Sequence, residues 1–184
     1  MSHAFADIAF TPAVREAQAR DGSRAQYARA IETAGPVHHA ALGPDEAAFI
    51  QAQRSFYMAT VSETGWPYVQ HRGGAPGFLR VLDAKTLSFV DVPGNRQFIS
   101  VGNLATNDRV ALILVDYQHR QRMKLLGRLS LRDMPGPGRG GREMVVHVEA
   151  FDWNCPQHIP VRFEAEDVQR ALDEVSVKAA NTYD

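Results

Sequence analysis

The spacing of apolar positions along the chain changes at about residue 55. Before that point the pattern is helical: Thr11-Pro12 caps one helix, and Ser23 with Gln26 forms a capping box at the start of a second. Gly43-Pro44-Asp45-Glu46 begins another helix, with acidic residues where the helix dipole favours them. The sequence therefore predicts a helical extension over residues 1–44 and one further short helix after it.

From Ser55 onward the pattern is typical of short β-strands separated by turns. Strands are predicted over 56–61, 67–72, 78–82, 86–92, 109–116, 123–132 and 144–151. One helix is predicted over 96–103, between strands, and another over 164–177 with Val168, Leu172 and Val175 facing inward. Strands in succession, with helices mainly at the ends, favour a mainly antiparallel barrel over a parallel α/β sheet.

Composition and charge restrict the class of protein. The 184 residues suit one domain, and 20 basic against 21 acidic residues argue against a dedicated nucleic-acid binder. No apolar run approaches the ~18–20 residues of a membrane span, and no secretory signal is visible at the start. Cys155 is the single cysteine, which excludes an intrachain disulfide, so we expect a cytoplasmic protein.

The first candidate site is the end of the second predicted strand. Gln70, His71 and Arg72 are followed directly by Gly73 and Gly74. Paired glycines allow another group to approach the backbone closely. Two interpretations stay open: a flat polar ligand lies over the strand end, or the segment is a plain hairpin corner, which composition alone favours.

A second candidate follows the fourth predicted strand. Val90-Asp91 leads into a Pro-Gly turn, with Asn95 as the predicted helix cap and Arg96-Gln97 in the first turn. N–H groups at a helix start, beside a guanidinium, form a favourable phosphate cradle. Neither GxGxxG nor GxxxxGK[ST] is present, so dinucleotide and P-loop sites are excluded. An arginine in this position is usually just exposed, and that interpretation also stays open.

A third candidate lies on the sixth predicted strand. Alternation puts Arg122 and Lys124 on one face and Met123 and Leu125 on the other. The two basic side chains could complete the same anion site. A solvated barrel exterior explains them equally well.

The last candidate is the segment Trp153-Asn154-Cys155-Pro156. We interpret it as a rigid cap that faces an aromatic ligand. Cys155 and His158 do not predict a zinc site, because such a site needs about four ligands and His38-His39 is far away in sequence. We therefore predict neither a metal site nor a catalytic thiol.

Taken in order, these segments resemble the pyridoxamine 5′-phosphate oxidase-like family, and closely its uncharacterised flavin-nucleotide-binding members. The resemblance runs from about Asp45 to Arg162, and its most specific stretches are 66–74, 94–97, 107–112 and 153–159. It implies an antiparallel split β-barrel (mainly β, α+β) over 45–163. Beyond the resemblance, the residues themselves predict a C-terminal helix over 164–184 packed on the barrel. The resemblance also implies a homodimer that holds FMN in clefts between the subunits.

The resemblance implies roles for the candidate residues. The strand matching Gln70 to Gly74 passes along the flavin, the strand end at Val90-Asp91 touches the ring system or ribityl chain, and Arg96-Gln97 lies where the family grips the phosphate. The predicted FMN-binding residues are Gln70, His71, Arg72, Gly73, Val90, Asp91, Asn95, Arg96, Gln97, Arg122, Lys124, Trp153, Asn154 and Cys155.

The chain also departs from the oxidase itself. The oxidase has an Arg-Lys pair where this chain has Arg96-Gln97, and its C-terminal Arg-x-His signature is absent here. These differences argue against pyridoxal-phosphate synthesis. We expect a flavin-dependent oxidoreductase acting on an unidentified small molecule; the alternatives are a non-catalytic flavin carrier or sensor, and a split barrel that binds haem or a deazaflavin.

Overall fold

A computed structural model describes residues 3–33, 39–92, 96–135 and 141–180, which form six helices and seven strands. The helices are α1 (Ala4–Ala9), α2 (Pro12–Asp21), α3 (Arg24–Thr33), α4 (Pro44–Ala52), α5 (Ile99–Asn103) and α6 (Ala165–Ala180). The strands are β1 (Ser55–Val61), β2 (Pro67–Gly73), β3 (Arg80–Asp83), β4 (Thr86–Val90), β5 (Arg109–Asp116), β6 (Gln121–Asp133) and β7 (Arg142–Trp153).

The predicted helix starts are confirmed where capping groups mark them. The N–H of Val14 donates to Thr11 Oγ1 at 3.4 Å, and Pro12 occupies the first turn of α2. At α4, the N–H of Gly43 donates to Glu46 Oε2 at 2.9 Å. Helix α1 was not predicted, because six residues carry too little periodicity to distinguish a helix from a loop.

The seven strands form one sheet in the order β2-β1-β5-β6-β7-β4-β3, and every neighbouring pair is antiparallel. The sheet is open, with β2 and β3 at its edges. The predicted mainly β, antiparallel split barrel is thus confirmed. Strands β6 and β7 are longer than predicted, because they pair with each other along almost their whole length.

The two faces of the sheet differ in character. The face that we call inner carries the core, including Leu112, Leu114, Met123 and Leu125, and is closed at one end by Ile50 of α4. The opposite, outer face carries the residues between them in sequence. Which candidate side chains share a face follows from this alternation and from the strand register.

The predicted helix over 96–103 is wrong in its first turn. Helix α5 begins at Ile99, and both Arg96 (φ 62°) and Phe98 (φ 54°) adopt left-handed backbone conformations. Left-handed residues cannot continue a right-handed helix, so Arg96 lies before the helix in an exposed connector. The predicted Asn95 cap falls outside the described residues.

The predicted inward face of the last helix is also wrong for the single chain. Val168, Leu172 and Val175 of α6 are 45%, 57% and 65% exposed. The periodicity was interpreted correctly as helical, but periodicity alone does not show that a partner surface lies next to the helix. Among the described residues, no helix is both long and apolar enough to cross a membrane.

Candidate functional site

A charged cluster bridges the gap between the edge strand β2 and the end of β4. Arg72 donates from a terminal guanidinium nitrogen to Asp91 Oδ1 at 3.1 Å, and Arg142 at the start of β7 donates to Asp91 Oδ2 at 2.8 Å. The N–H of Asp91 also donates to the carbonyl of Arg142 at 2.8 Å. The side chains of Arg72 and Asp91 are 13% and 10% exposed, so this cluster is largely shielded from water.

Aromatic and polar groups surround this inner-face cluster. The guanidinium of Arg142 lies 5.1 Å from the ring centroid of Phe98, and that of Arg72 lies 5.8 Å from the centroid of Phe89. On β2, Gln70 Oε1 accepts a hydrogen bond from Ser100 Oγ at 3.1 Å. Two guanidinium groups, two aromatic rings and the side-chain amide of Gln70 therefore lie at one end of the inner face.

An unsatisfied donor marks this cluster as a possible anion site. Arg72 Nε is buried and has no hydrogen-bond partner among the described residues. A buried donor without a partner destabilises the fold by roughly 1–3 kcal/mol, which a ligand oxygen would recover. Two guanidinium groups against one carboxylate also leave an excess positive charge, and the exposed Arg96 adds another in the adjoining connector.

A second group of candidates lies on the outer face, at the ends of β6 and β7. The N–H of Asn154 donates to the carbonyl of Arg122 at 2.9 Å, so the two residues are direct neighbours. Arg122 Nε and Asn154 Oδ1 are both buried without a hydrogen-bond partner among the described residues. Lys124 follows Arg122 by two residues on β6 and pairs with Asp152 of β7. This outer-face group offers an unsatisfied donor, an unsatisfied acceptor and an ammonium.

The outer face also carries an apolar hollow of about 190 Å³. Its lining includes Phe5 of α1, Tyr57, Val69, Ile113 and Lys124. Tyr57 of β1 and Val69 of the edge strand β2 are 41% and 61% exposed, so large apolar side chains lie open to solvent beside this hollow. An aromatic ligand or a second protein surface suits such a hollow.

The glycines at the end of β2 have an explanation within the chain. A Cβ atom on Gly74 would lie 2.7 Å from the Cβ of Phe78, and one on Gly73 would lie 3.2 Å from the carbonyl oxygen of Arg54. The close approach that we predicted for a ligand is therefore made by the protein itself. The glycine pair does not support a ligand, and the assignment of Gly73 to the cofactor stays a prediction.

Trp153 is engaged within the fold. Its indole N–H donates to Glu46 Oε1 at 3.0 Å, and its ring packs edge-on against Phe49, with 4.7 Å between centroids. Burial raises the pKa of Glu46, but the hydrogen bonds from Trp153 and Gly43 outweigh it and hold that pKa below its ordinary value. The indole thus ties β7 to α4, and its predicted contact with a ligand stays a prediction.

The remaining candidates are dispersed. His71 lies on the outer face against Tyr57, with 5.4 Å between ring centroids. The side chains of Val90, Gln97 and Cys155 are exposed, and Asn95 lies outside the described residues. The structure thus brings together Gln70, Arg72 and Asp91 on the inner face, and Arg122, Lys124 and Asn154 on the outer face.

Sequence reasoning missed Arg142. This residue follows the Gly/Pro-rich segment 135–141, which carries no periodicity that would have identified the start of β7. Its proximity to Asp91 depends on the pairing of Val90 with Glu143. Only the register of two strands that are far apart in sequence could have indicated it.

Comparisons with known proteins agree with the fold. A family model described as pyridoxamine 5′-phosphate oxidase matches residues 42–139. No curated protein matches the chain.

Solved structures resemble part of the chain. HupZ from Group A Streptococcus is 16% identical, with a TM-score of 0.49, over 66% of this chain and 99% of its own. A candidate pyridoxamine 5′-phosphate oxidase from Lactobacillus delbrueckii is 16% identical, with a TM-score of 0.48, over 61% of this chain and 93% of its own. An FMN-binding protein from Syntrophomonas wolfei is 9% identical, with a TM-score of 0.44, over 60% of this chain and 85% of its own.

Proposed function

Because the chain belongs to the pyridoxamine 5′-phosphate oxidase family, we propose that it is an FMN-dependent oxidoreductase acting on a small molecule, and that two copies share each cofactor site. One observation carries this proposal. Among the described residues, three of the four buried polar atoms without hydrogen-bond partners fall in two groups, around Arg72 and around Arg122, and these groups lie on opposite faces of one sheet. The fourth atom, Ser88 Oγ, belongs to neither group.

The inner-face group suits the phosphate of FMN. Arg72 Nε is an unsatisfied donor, and Arg72 and Arg142 together carry more positive charge than Asp91 neutralises. Guanidinium groups bind phosphate through parallel N–H···O bonds, and a shielded environment strengthens those bonds. Arg96, in the connector that leads to Phe98, supplies a further cation close to this cluster.

The outer-face group suits the polar edge of a flavin ring. Asn154 Oδ1 can accept a hydrogen bond from a ring N–H, and Arg122 Nε can donate to a ring carbonyl. The apolar hollow beside Lys124 offers a surface of the kind on which an aromatic ring packs.

One protomer cannot present both groups to one ligand, because the sheet separates them. Two copies can, if the inner-face group of one protomer meets the outer-face group of its partner. A two-fold dimer would form two such sites. The exposed apolar residues Tyr57 and Val69 support this arrangement, since a partner would cover them.

FMN, when bound, supplies hydride or electron acceptance, and the protein supplies binding and orientation. In this proposal Arg72 and Arg142 hold the phosphate, while Arg122 and Asn154 of the other protomer orient the ring. Neither group contains a side chain that stands out as a general base. The substrate therefore has to be found by experiment.

A complementation experiment tests the shared site. We expect Arg72→Gln and Arg122→Gln each to lose FMN when expressed alone. Co-expression of the two variants with different tags should yield mixed dimers in which one of the two sites is intact. Random pairing then restores FMN to about a quarter of all sites.

The outcome distinguishes the possible architectures. If both groups served one ligand within a single protomer, mixing the variants would restore nothing. If neither single variant lost FMN, both arginines would be excluded from the site. Arg128→Gln is a matched control, since Arg128 pairs with Asp108 and Glu149 away from both groups.

Optical spectra distinguish the cofactor classes before any mutation is made. Flavin bands in the purified protein support FMN, whereas a Soret band would identify haem and contradict the proposal. Reduction by NADH or NADPH followed by turnover with an acceptor supports an enzyme. Bound flavin that is never reduced would instead indicate a carrier.

A further inference from the structure

Three segments that are far apart in sequence meet on the outer face near the end of β7. His3 precedes α1, His39 lies between α3 and α4, and Asp152 is the second-last residue of β7. One potential ligand atom from each lies within 4.8 Å of the others. The side chains of His39 and Asp152 are 13% and 28% exposed, so the cluster is partly shielded from water.

The fold orients His39 through Nδ1, which is also the ring nitrogen that lies 3.8 Å from Asp152 Oδ1. Nδ1 of His39 lies 2.9 Å from the carbonyl oxygen of Phe151. A carbonyl oxygen only accepts, so Nδ1 carries the proton and donates, which leaves the lone pair on Nε2. Histidines that bind metals are commonly oriented by a hydrogen bond of this kind to a backbone carbonyl.

The electrostatics of the cluster favour a cation. The Asp152 side chain is 28% exposed, so its carboxylate is partly desolvated. Lys124 pairs with Asp152 in the register, but its Nζ lies over Phe5, 5.7 Å from the ring centroid. A cation held directly between the carboxylate and the imidazoles would compensate the negative charge of Asp152 at closer range than Lys124 does.

We propose that His3, His39 and Asp152 bind a divalent transition-metal ion such as Zn²⁺ or Fe²⁺. Two imidazoles and one carboxylate are ligands that these ions accept, and three protein ligands leave at least one position open for water or a small ligand. This site is separate from Arg122 and Asn154, the outer-face residues proposed to contact the flavin ring.

The ligands must move slightly to bind an ion. Bonds of about 2.0–2.2 Å bring ligand atoms to roughly 3–3.5 Å from one another, so the widest separation in the cluster must shorten by roughly 1.5 Å. His3 can supply this movement. Its Nδ1 accepts a long hydrogen bond from the N–H of Ala6 at 3.4 Å, and its ring stacks on His39 with 4.4 Å between centroids.

A bound ion would join the N-terminal helix to the sheet. His3 leads directly into α1, whose Phe5 forms part of the wall of the apolar hollow. The ion would therefore hold one wall of that hollow in position. Metal binding should therefore raise the stability of the fold, so the site can be tested by thermal unfolding as well as by direct binding.

The test uses the full chain without an affinity tag and Co²⁺ as a spectroscopic probe. We expect one Co²⁺ per chain, with visible absorption bands from ligands that include nitrogen, and displacement by Zn²⁺. His39→Gln and Asp152→Asn should each weaken binding at least tenfold. His147→Gln is the matched control, because His147 is an exposed histidine on the same strand and belongs to no such cluster among the residues that the structure describes.

Thermal unfolding supplies a second measurement. Saturating Zn²⁺ should raise the melting temperature of the unchanged chain by several degrees and that of His39→Gln by much less. If either variant fails to fold, as judged by circular dichroism without metal, His3→Gln takes its place, because His3 lies outside the core. Absence of metal binding by the unchanged chain, or equal binding by all variants, overturns the proposal. FMN content is measured in parallel, so failure of the metal site is distinguishable from failure of the flavin site.

Discussion

Two carboxylates at neighbouring positions of the sheet are each held between two arginines. Asp91 lies between Arg72 and Arg142 on the inner face. Glu143, the residue after Arg142, lies between Arg80 and Arg132 on the opposite face. Adjacent residues on β7 thus belong to two clusters of the same composition that lie back to back.

The clusters differ in the exposure of their arginines. Those around Glu143 are 49% and 58% exposed, so water solvates their excess charge. Those around Asp91 are 13% and 31% exposed, and one of them retains a buried donor without a partner. One carboxylate between two arginines therefore forms a solvated ion-pair cluster on one face and a shielded cluster, our candidate anion site, on the other, and the two clusters differ in solvent access.

Removing the charge of Glu143 should give the largest effect on stability. Glu143 is 2% exposed and is the shared acceptor for two guanidinium groups. Glu143→Gln should lower the free energy of unfolding by about 2–3 kcal/mol, because it replaces charge-assisted hydrogen bonds and leaves donors poorly matched. Urea denaturation measures this loss.

The control for that substitution lies on the same strand. Glu149 pairs with Arg128, and the two side chains are 36% and 45% exposed. Glu149→Gln should change the free energy of unfolding by less than about 0.5 kcal/mol, as is usual for exposed ion pairs. Equal losses in the two variants would contradict the distinction between buried and exposed clusters.

The same carboxylate should make stability dependent on pH. The hydrogen bond from Arg132 holds the pKa of Glu143 below its ordinary value of 4.5. A carboxyl whose pKa is lower in the folded state stabilises the fold fully when the pH is above its pKa in the unfolded state. That stabilisation is lost as the pH falls through its pKa in the folded state. The protein should therefore lose stability below about pH 4.5. Glu143→Gln should be less sensitive over this range, which melting curves at a series of pH values can measure.

Much of the fold could be predicted because it depends on local signals. Strand β5 was predicted with its observed bounds, Arg109–Asp116, since eight residues with strong apolar character lie between polar turns. The start of helix α2 was predicted from Thr11 and Pro12, which form its N-cap and first turn and are also a local signal. The start of α5 was not predicted correctly, because nothing in the local sequence indicates that a non-glycine residue such as Arg96 adopts a left-handed backbone conformation.

The candidate sites depend on distant contacts, which sequence spacing does not reveal. Arg72, Asp91 and Arg142 meet because β2 and β4 approach each other across the split in the barrel. His3, His39 and Asp152 meet beside the end of β7, where α1 packs on that strand. We predicted no metal site because a zinc site needs about four ligands and His38-His39 is far in sequence from Cys155 and His158. The resemblance to a family indicated Arg72 and Asp91, but no motif pointed to Arg142.

A matched pair of arginine variants tests the difference between the clusters directly. Arg142→Ala should weaken FMN binding roughly tenfold, because it removes a shielded cation and its contact with Phe98. Arg132→Ala removes the corresponding arginine of the Glu143 cluster and should leave FMN affinity unchanged. Affinity is measured by titrating the folded apoprotein with FMN, which separates binding from stability. Equal FMN affinities for the two variants would remove Arg142 from the site.

Arg96 should give the smallest effect, because it is an exposed cation in the connector before α5. Arg96→Ala should weaken FMN binding by roughly threefold at low salt, since exposed charges interact across water. The difference from the unchanged chain should vanish near ~0.5 M salt, where the Debye length is short, whereas the effect of Arg142→Ala should persist because that side chain is shielded. Arg15→Ala on α2 is a control for the loss of one exposed positive charge from a residue that is not a candidate for the site. A salt-independent loss of more than tenfold for Arg96→Ala would show instead that Arg96 becomes enclosed when FMN binds, and would place it with Arg72 and Arg142 in the shielded cluster.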